Sequence, residues 1–228
     1  MHKEGDALLI QQPVYYPFRE VIEDNGRIFV NNQLHYEDGK YTIDFEDFEK
    51  KIVDNNVKVF ILCNPHNPVG RVWTKEELEK MGDICLKHNV VIMDDEIHCD
   101  FTYPGFKFTS FMTLDKKYHN SLVLYTSPSK TFNVAGLQPA NIIIKNQELR
   151  AAYRKANVAA GYSQGSIMGQ VAVKSVYTKG DEWVNELVEY ITGNMNYMRD
   201  FVKENFPKAQ FVDPEGTYLT WVDFSGYG

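Results

Sequence analysis

A chain of 228 residues, 43% hydrophobic and 24% charged, has the make-up of a soluble globular protein with room for one large core domain or one and a half. Its formal net charge of −7, without a long basic run, argues against a nucleic-acid partner, and no apolar stretch approaches the ~18 residues that a membrane span needs. The opening MHKEGD lacks the apolar centre of a signal peptide. Three widely spaced cysteines, Cys63, Cys85 and Cys99, show no disulfide or metal pattern, so a cytoplasmic setting fits.

In chain order, ALLIQQ reads as a short buried strand. PVYYPFREVIEDNG then gives a turn and a short helix closed by Gly26, and RIFVNN a second strand. Phe45, Phe48 and Ile52 recur at helical spacing in DFEDFEKKIVDN. VKVFILCNP is strongly apolar and strand-like. Thr74 and Glu77 in TKEEL have the spacing of a capping box, and the helix they open places Leu78, Met81 and Cys85 on one face. VVIMDDE is the next buried strand. Strand, helix, strand at this spacing is a βαβ unit with a right-handed crossover between parallel strands.

SLVLYTS and ANIIIK add two more apolar strands. Residues 146–160 and SIMGQVAVKSVYT are helical in composition. The longest helix starts at Asp181, with Trp183, Leu187, Tyr190, Ile191, Met198 and Val202 at helical intervals, and AQFVDP and TYLTWVDF end the chain as strands. The expected class is α/β, a mostly parallel sheet flanked by helices. Residues 1–180 make the large domain, and 181–228 the long helix and the beginning of a small α+β domain.

Four groups stand at or just beyond strand ends, the rim where open parallel sheets bind ligands. In SPSK, Lys130 follows a core strand and is flanked by Ser127 and Ser129. A partly desolvated lysine suits Schiff-base chemistry, and the serines suit an anion such as phosphate; a solvated surface lysine is the plain alternative. In IMDDEIHCD, a carboxylate ending a buried strand needs a partner, which a protonated ring nitrogen, a metal, a helix cap or a salt bridge could supply. NPHNPVG holds Asn67 in a turn stiffened by two Asn-Pro pairs, with Gly70 free to take a positive φ. Tyr15, after the first strand, could stack on a planar ring.

Taken together, HNPVGRVW, DEIHCDF and SPSKTFNVAGLQ resemble fold-type I pyridoxal-phosphate (PLP) enzymes of the class I/II aminotransferase superfamily, and more narrowly the cystathionine β-lyase-like C–S lyases. The resemblance spans nearly the whole chain. It implies that Lys130 forms the Schiff base with PLP, that Asp95 pairs with the pyridine nitrogen and that Asn67 hydrogen-bonds the ring hydroxyl. It also implies that Tyr15 stacks on the ring and that Ser127 and Ser129 lie near the phosphate. His98 falls where many relatives carry a tyrosine for the ring hydroxyl. Gln138 falls where many carry a phosphate-binding arginine.

The activity so implied is β-elimination from cysteine S-conjugates such as cystathionine, with an amino acid as the small-molecule substrate and a homodimer as the full-length form. Aminotransferase activity is the alternative within the superfamily, and a non-catalytic binding module of the same fold the alternative outside it. The resemblance further implies a glycine-containing phosphate loop before GDALLIQQP and a carboxylate-binding arginine after the small domain begins. Neither is in this sequence, which reads as part of a family member.

Overall fold

The computed structural model describes residues 3–37, 39–162 and 165–228. Strand β1 (Ala7–Ile10) leads through helix α1 (Pro17–Asp24) to strand β2 (Ile28–Asn31). Pro17 opens α1, where its fixed φ and missing N–H cost nothing. Asn25 caps the other end, and Gly26 at φ +64° turns the chain back, as the sequence suggests. A short antiparallel hairpin, β3 (His35–Glu37) and β4 (Lys40–Thr42), follows. It went unanticipated, although an Asp-Gly pair between alternating residues is a hairpin signal.

Helix α2 (Phe45–Asp54) starts at Asp44, whose side chain accepts the N–H groups of Glu46 and Asp47. Strand β5 (Val59–Cys63), helix α3 (Lys75–Lys87) and strand β6 (Val91–Asp95) form the expected βαβ unit. Both halves of the Thr74–Glu77 capping box are made. Between β6 and β7 (Leu122–Thr126) the chain makes two 3-10 turns, Phe111–Thr113 and Lys116–Ser121.

The main sheet has six strands in the order β2-β1-β5-β6-β7-β8. All pairs are parallel except the last, in which β8 (Asn141–Ile144) runs against β7. Alternation along β5 splits its side chains between two layers. Phe60 and Leu62 join Phe48, Ile52, Leu78, Met81 and Cys85 of α2 and α3 in the larger core. Ile61 and Cys63 face the other way, onto Ile22 and Phe18 of α1. Helices on both faces leave the carboxyl ends of β1, β5, β6 and β7 on one rim.

Helices α4 (Gln147–Ala159), α5 (Ile167–Lys179) and α6 (Asp181–Asn205) follow the sheet, and β9 (Gln210–Val212) pairs antiparallel with β10 (Trp221–Asp223). The apolar periodicity of α6 is only partly covered. Met195 and Val202 are buried, while Trp183 and Tyr190 are 54% and 71% exposed. No helix among the described residues is long and apolar enough to cross a membrane.

Candidate active site

The parallel ladder sets the site. Cys63 of β5 pairs with Asp95 of β6, and Asp95 pairs with Tyr125 of β7. The last backbone bonds across the rim run from Asn64 N–H to the Asp95 carbonyl (3.0 Å) and from Glu96 N–H to the Tyr125 carbonyl (2.9 Å). Beyond them the exits of β5, β6 and β7 carry Asn67, then Asp95 and His98, then Ser127, Ser129 and Lys130, while Tyr15 follows β1.

The three acids of DDE separate by strand alternation. Asp94 points with Ile92 toward the larger core and is fully buried beside Glu96, whose Oε1 accepts the Phe111 N–H (2.9 Å). Burial drives the Asp94 carboxyl well above the usual range, which favours its neutral form. Asp95 lies on the opposite face, with Cys63. Its Oδ1 accepts the Ile97 N–H at 3.1 Å. Burial raises its pKa too, but that bond and the positive charge of Lys130 pull the other way. Of the three, Asp95 is the carboxylate that a nearby cation sustains.

The same lysine charge reaches His98. Burial, then Lys130, push this imidazole down to about 4, so the ring is neutral at neutral pH. His98 is 2% exposed, and its Nδ1 has no hydrogen-bond partner among the described residues. Tyr218 stands edge-on to the ring at 5.2 Å, with Phe101 at 6.2 Å on another side.

Asn67 lies in the turn after β5, where its N–H points at Cys63 Sγ (3.4 Å). Both Asn-Pro bonds of this turn are cis, and Gly70 has φ +76°. His66 anchors the turn to the exit of β1, its Nε2 donating to the Pro13 carbonyl at 3.0 Å. The loop that carries Tyr15 is therefore tied to the one that carries Asn67. Tyr15 packs edge-on to Phe18 (5.7 Å) and remains 41% exposed.

Lys130 is half-buried at the end of a serine turn. Ser127 Oγ accepts the Ser129 N–H (3.0 Å), lies 2.8 Å from Ser129 Oγ and hydrogen-bonds the Pro139 carbonyl (2.5 Å). The two serines thus shape the turn that presents Lys130. Gln138, in a left-handed conformation at φ +52°, lines a hollow of about 630 Å³ beyond the β8 edge with Asn141, Tyr153 and Lys174.

Sequence reasoning missed a buried ion network that braces this rim. Arg71, 2% exposed, donates from Nε to Glu215 Oε2 (2.9 Å) and from Nη2 to both oxygens of Glu77 (2.9 and 2.8 Å). Glu215 also accepts the Val72 N–H (2.8 Å) and an ion pair from Lys40 (3.1 Å). Gly70 makes room for this docking: a Cβ there would lie 2.6 Å from Pro214 Cβ. The Gly70 carbonyl accepts the N–H groups of Glu215 and Gly216. The signal available in sequence was the arginine in HNPVGRVW, set in an otherwise uncharged, largely apolar stretch.

Comparison with known proteins gives a consistent answer. Cystathionine beta-lyase PatB of Bacillus subtilis (strain 168) is 43% identical over 98% of this chain and 58% of its own length. The crystal structure of cystalysin from Treponema denticola, which contains a pyridoxal 5'-phosphate cofactor, is 40% identical with a TM-score of 0.96, over 99% of this chain and 57% of that one. The PLP-bound C-S lyase from Staphylococcus hominis is 37% identical with a TM-score of 0.92, over 99% and 56%. The chain therefore spans a little over half the length of these relatives. The family model described as "Aminotransferase class I and II" matches residues 1–227, and the chain belongs to that family.

Proposed function

We propose that the protein uses PLP to eliminate a thiol from the β-carbon of cysteine S-conjugates such as cystathionine, with pyruvate and ammonia as the other products. The observation that carries this reading is the convergence of Asp95, His98 and Lys130 at the exits of β6 and β7, where the Lys130 charge favours an ionised Asp95 and a neutral His98. These residues fit the cofactor. A pyridinium nitrogen is the cation that a carboxylate buried at a strand end calls for, and His98 offers an unpartnered ring nitrogen beside it.

PLP, when bound, withdraws electrons from the substrate Cα and so makes its proton removable. Lys130 would hold the cofactor covalently, and its amine, when free, would take the substrate Cα proton. The electron pair left at Cα forms the Cα–Cβ double bond as the C–S bond breaks, and the thiolate leaves with the sulfur pair. The resulting aminoacrylate takes up water to give pyruvate and ammonia. Asp95 would present its negative charge to the cofactor nitrogen. Asn67 and His98 would serve the ring hydroxyl, Tyr15 would flank the ring, and Ser127 and Ser129 would stand toward the phosphate.

We extend the reading to a homodimer in the cytoplasm, where three free thiols are at home. We also keep residues 181–228 as the beginning of a second domain, which the separate β9–β10 sheet supports. The second reading is an aminotransferase, favoured by the matched family's own description. Incubation of the intact protein with PLP and cystathionine separates the two. Pyruvate without added keto acid supports the lyase, whereas strict dependence on a keto acid supports the transaminase. Borohydride reduction followed by peptide mapping should place the adduct on Lys130, and loss of both adduct and turnover is expected in Lys130→Ala with the fold retained.

A further inference from the structure

The exits of β6 and β7 carry Asp95 and Lys130, and the backbone ladder between them stops at Glu96 and Tyr125. Five residues past Asp95 and one past Lys130, a side-chain bond closes the gap again. Thr131 Oγ1 donates to Asp100 Oδ2 at 2.7 Å, across 31 residues of sequence. Thr131 is 1% exposed, so its hydroxyl depends on this partner. A hydroxyl bonded to a carboxylate is among the stronger neutral-to-charged contacts.

Two more contacts hold the same short segment from another direction. Trp183 Nε1 donates to the Thr131 carbonyl at 3.3 Å. Phe132 packs so closely on Gly180 that a Cβ there would lie 2.4 Å from the ring. The backbone beside Lys130 is thus fixed by the start of α6 on one side and by the β6 exit on the other. Of these contacts, the one that reaches the strand exit carrying Asp95 is the bond to Asp100.

We propose that Asp100 is a positioning residue: its bond to Thr131 sets the separation between Lys130 and Asp95. Asp100 acts through the neighbouring threonine and not on the reacting atoms. The inference rests on the proposed role of Lys130, and its physical content is the placement of one amine. Misplacement by about 1 Å at a reacting centre can cost roughly 100-fold, so a lost brace has a large effect without loss of fold.

The test compares Asp100→Ala, Thr131→Val and Thr131→Ser in the intact protein. PLP is added below saturation, the mixture is reduced with borohydride, and the Lys130 adduct is quantified by peptide mapping. Asp100→Ala and Thr131→Val should each lower capture about tenfold or more, while Thr131→Ser, which keeps the hydroxyl, stays within about twofold of wild type. Unfolding midpoints measured without PLP identify any variant that has lost its fold. Capture unchanged in folded Asp100→Ala and Thr131→Val overturns the brace.

A second readout needs no cofactor. The rate of Lys130 acetylation by acetic anhydride, against pH and relative to exposed lysines, should shift at least threefold in Asp100→Ala and Thr131→Val and recover in Thr131→Ser. Wild type that takes no PLP at Lys130 refutes the proposed function, yet an acetylation shift in that case still supports the brace. Identical acetylation in every variant ends it.

Discussion

Arg71 and Glu215, 144 residues apart, form a buried ion pair at 2.9 Å that fastens the segment 214–217 onto the turn carrying Asn67. Their side chains are 3% and 9% exposed, and Glu77 and Lys40 complete the charge balance. The pair joins two parts of the chain that share no sheet.

Removal of one partner from a buried pair leaves a charge without compensation. Glu215→Ala should therefore destabilise the protein by roughly 3 kcal/mol, with Glu77 limiting the loss to the low end of the usual range. Chemical denaturation measures it. A change below about 1 kcal/mol would show that the network fixes geometry without adding stability.

Gly70→Ala should be costly for two independent reasons. The backbone stands at φ +76°, and the new Cβ would meet Pro214 at 2.6 Å. A loss of roughly 2 kcal/mol or more is expected, with earlier proteolytic cleavage near residue 214. Protease resistance equal to wild type would mean that the segment adapts.

Asp95→Asn keeps an oxygen for the Ile97 N–H and removes the charge. Under the proposed function the elimination rate should fall about 100-fold or more, while the Lys130 adduct remains mappable. A rate within about fivefold of wild type would remove Asp95 from the chemistry.

His66 gives an acid-side prediction. Burial lowers its pKa from the ordinary 6.5 to about 4 in the folded chain, opposed by its bond to Pro13. Between those values the unfolded chain binds the extra proton, so stability due to the neutral ring is full above about pH 6.5 and is lost as pH falls to about 4. The other titrating groups are common to wild type and His66→Gln. The stability of wild type relative to that variant should consequently drop by roughly 3 kcal/mol across this window. Parallel stability curves would place the His66 pKa near its ordinary value.

Much of this was legible in the sequence, for identifiable reasons. Apolar runs marked β5, β6 and β7, and the Thr74–Glu77 spacing marked the start of α3. Asp95 ends one such run, and Asn67 and Lys130 come shortly after two others, which is what marked them as candidates. The partners of these residues were not so marked. Arg71 with Glu215 and Asp100 with Thr131 meet only through the tertiary fold, and no spacing rule links them. Asp94 and Asp95, by contrast, fall on opposite faces of the sheet by strand alternation alone. The partial exposure of α6 shows that periodicity sets a helix without deciding what covers it.

Glu77 serves two masters. Its carboxylate accepts the Thr74 N–H that starts α3 and both Nη2 contacts of Arg71. The first turn of that helix is therefore cooperative with the arrival of the C-terminal hairpin: amide exchange at Glu77 and Leu78 becomes a gauge of whether residues 214–217 are seated. A chain released from synthesis before that segment emerges would hold the helix with a looser beginning.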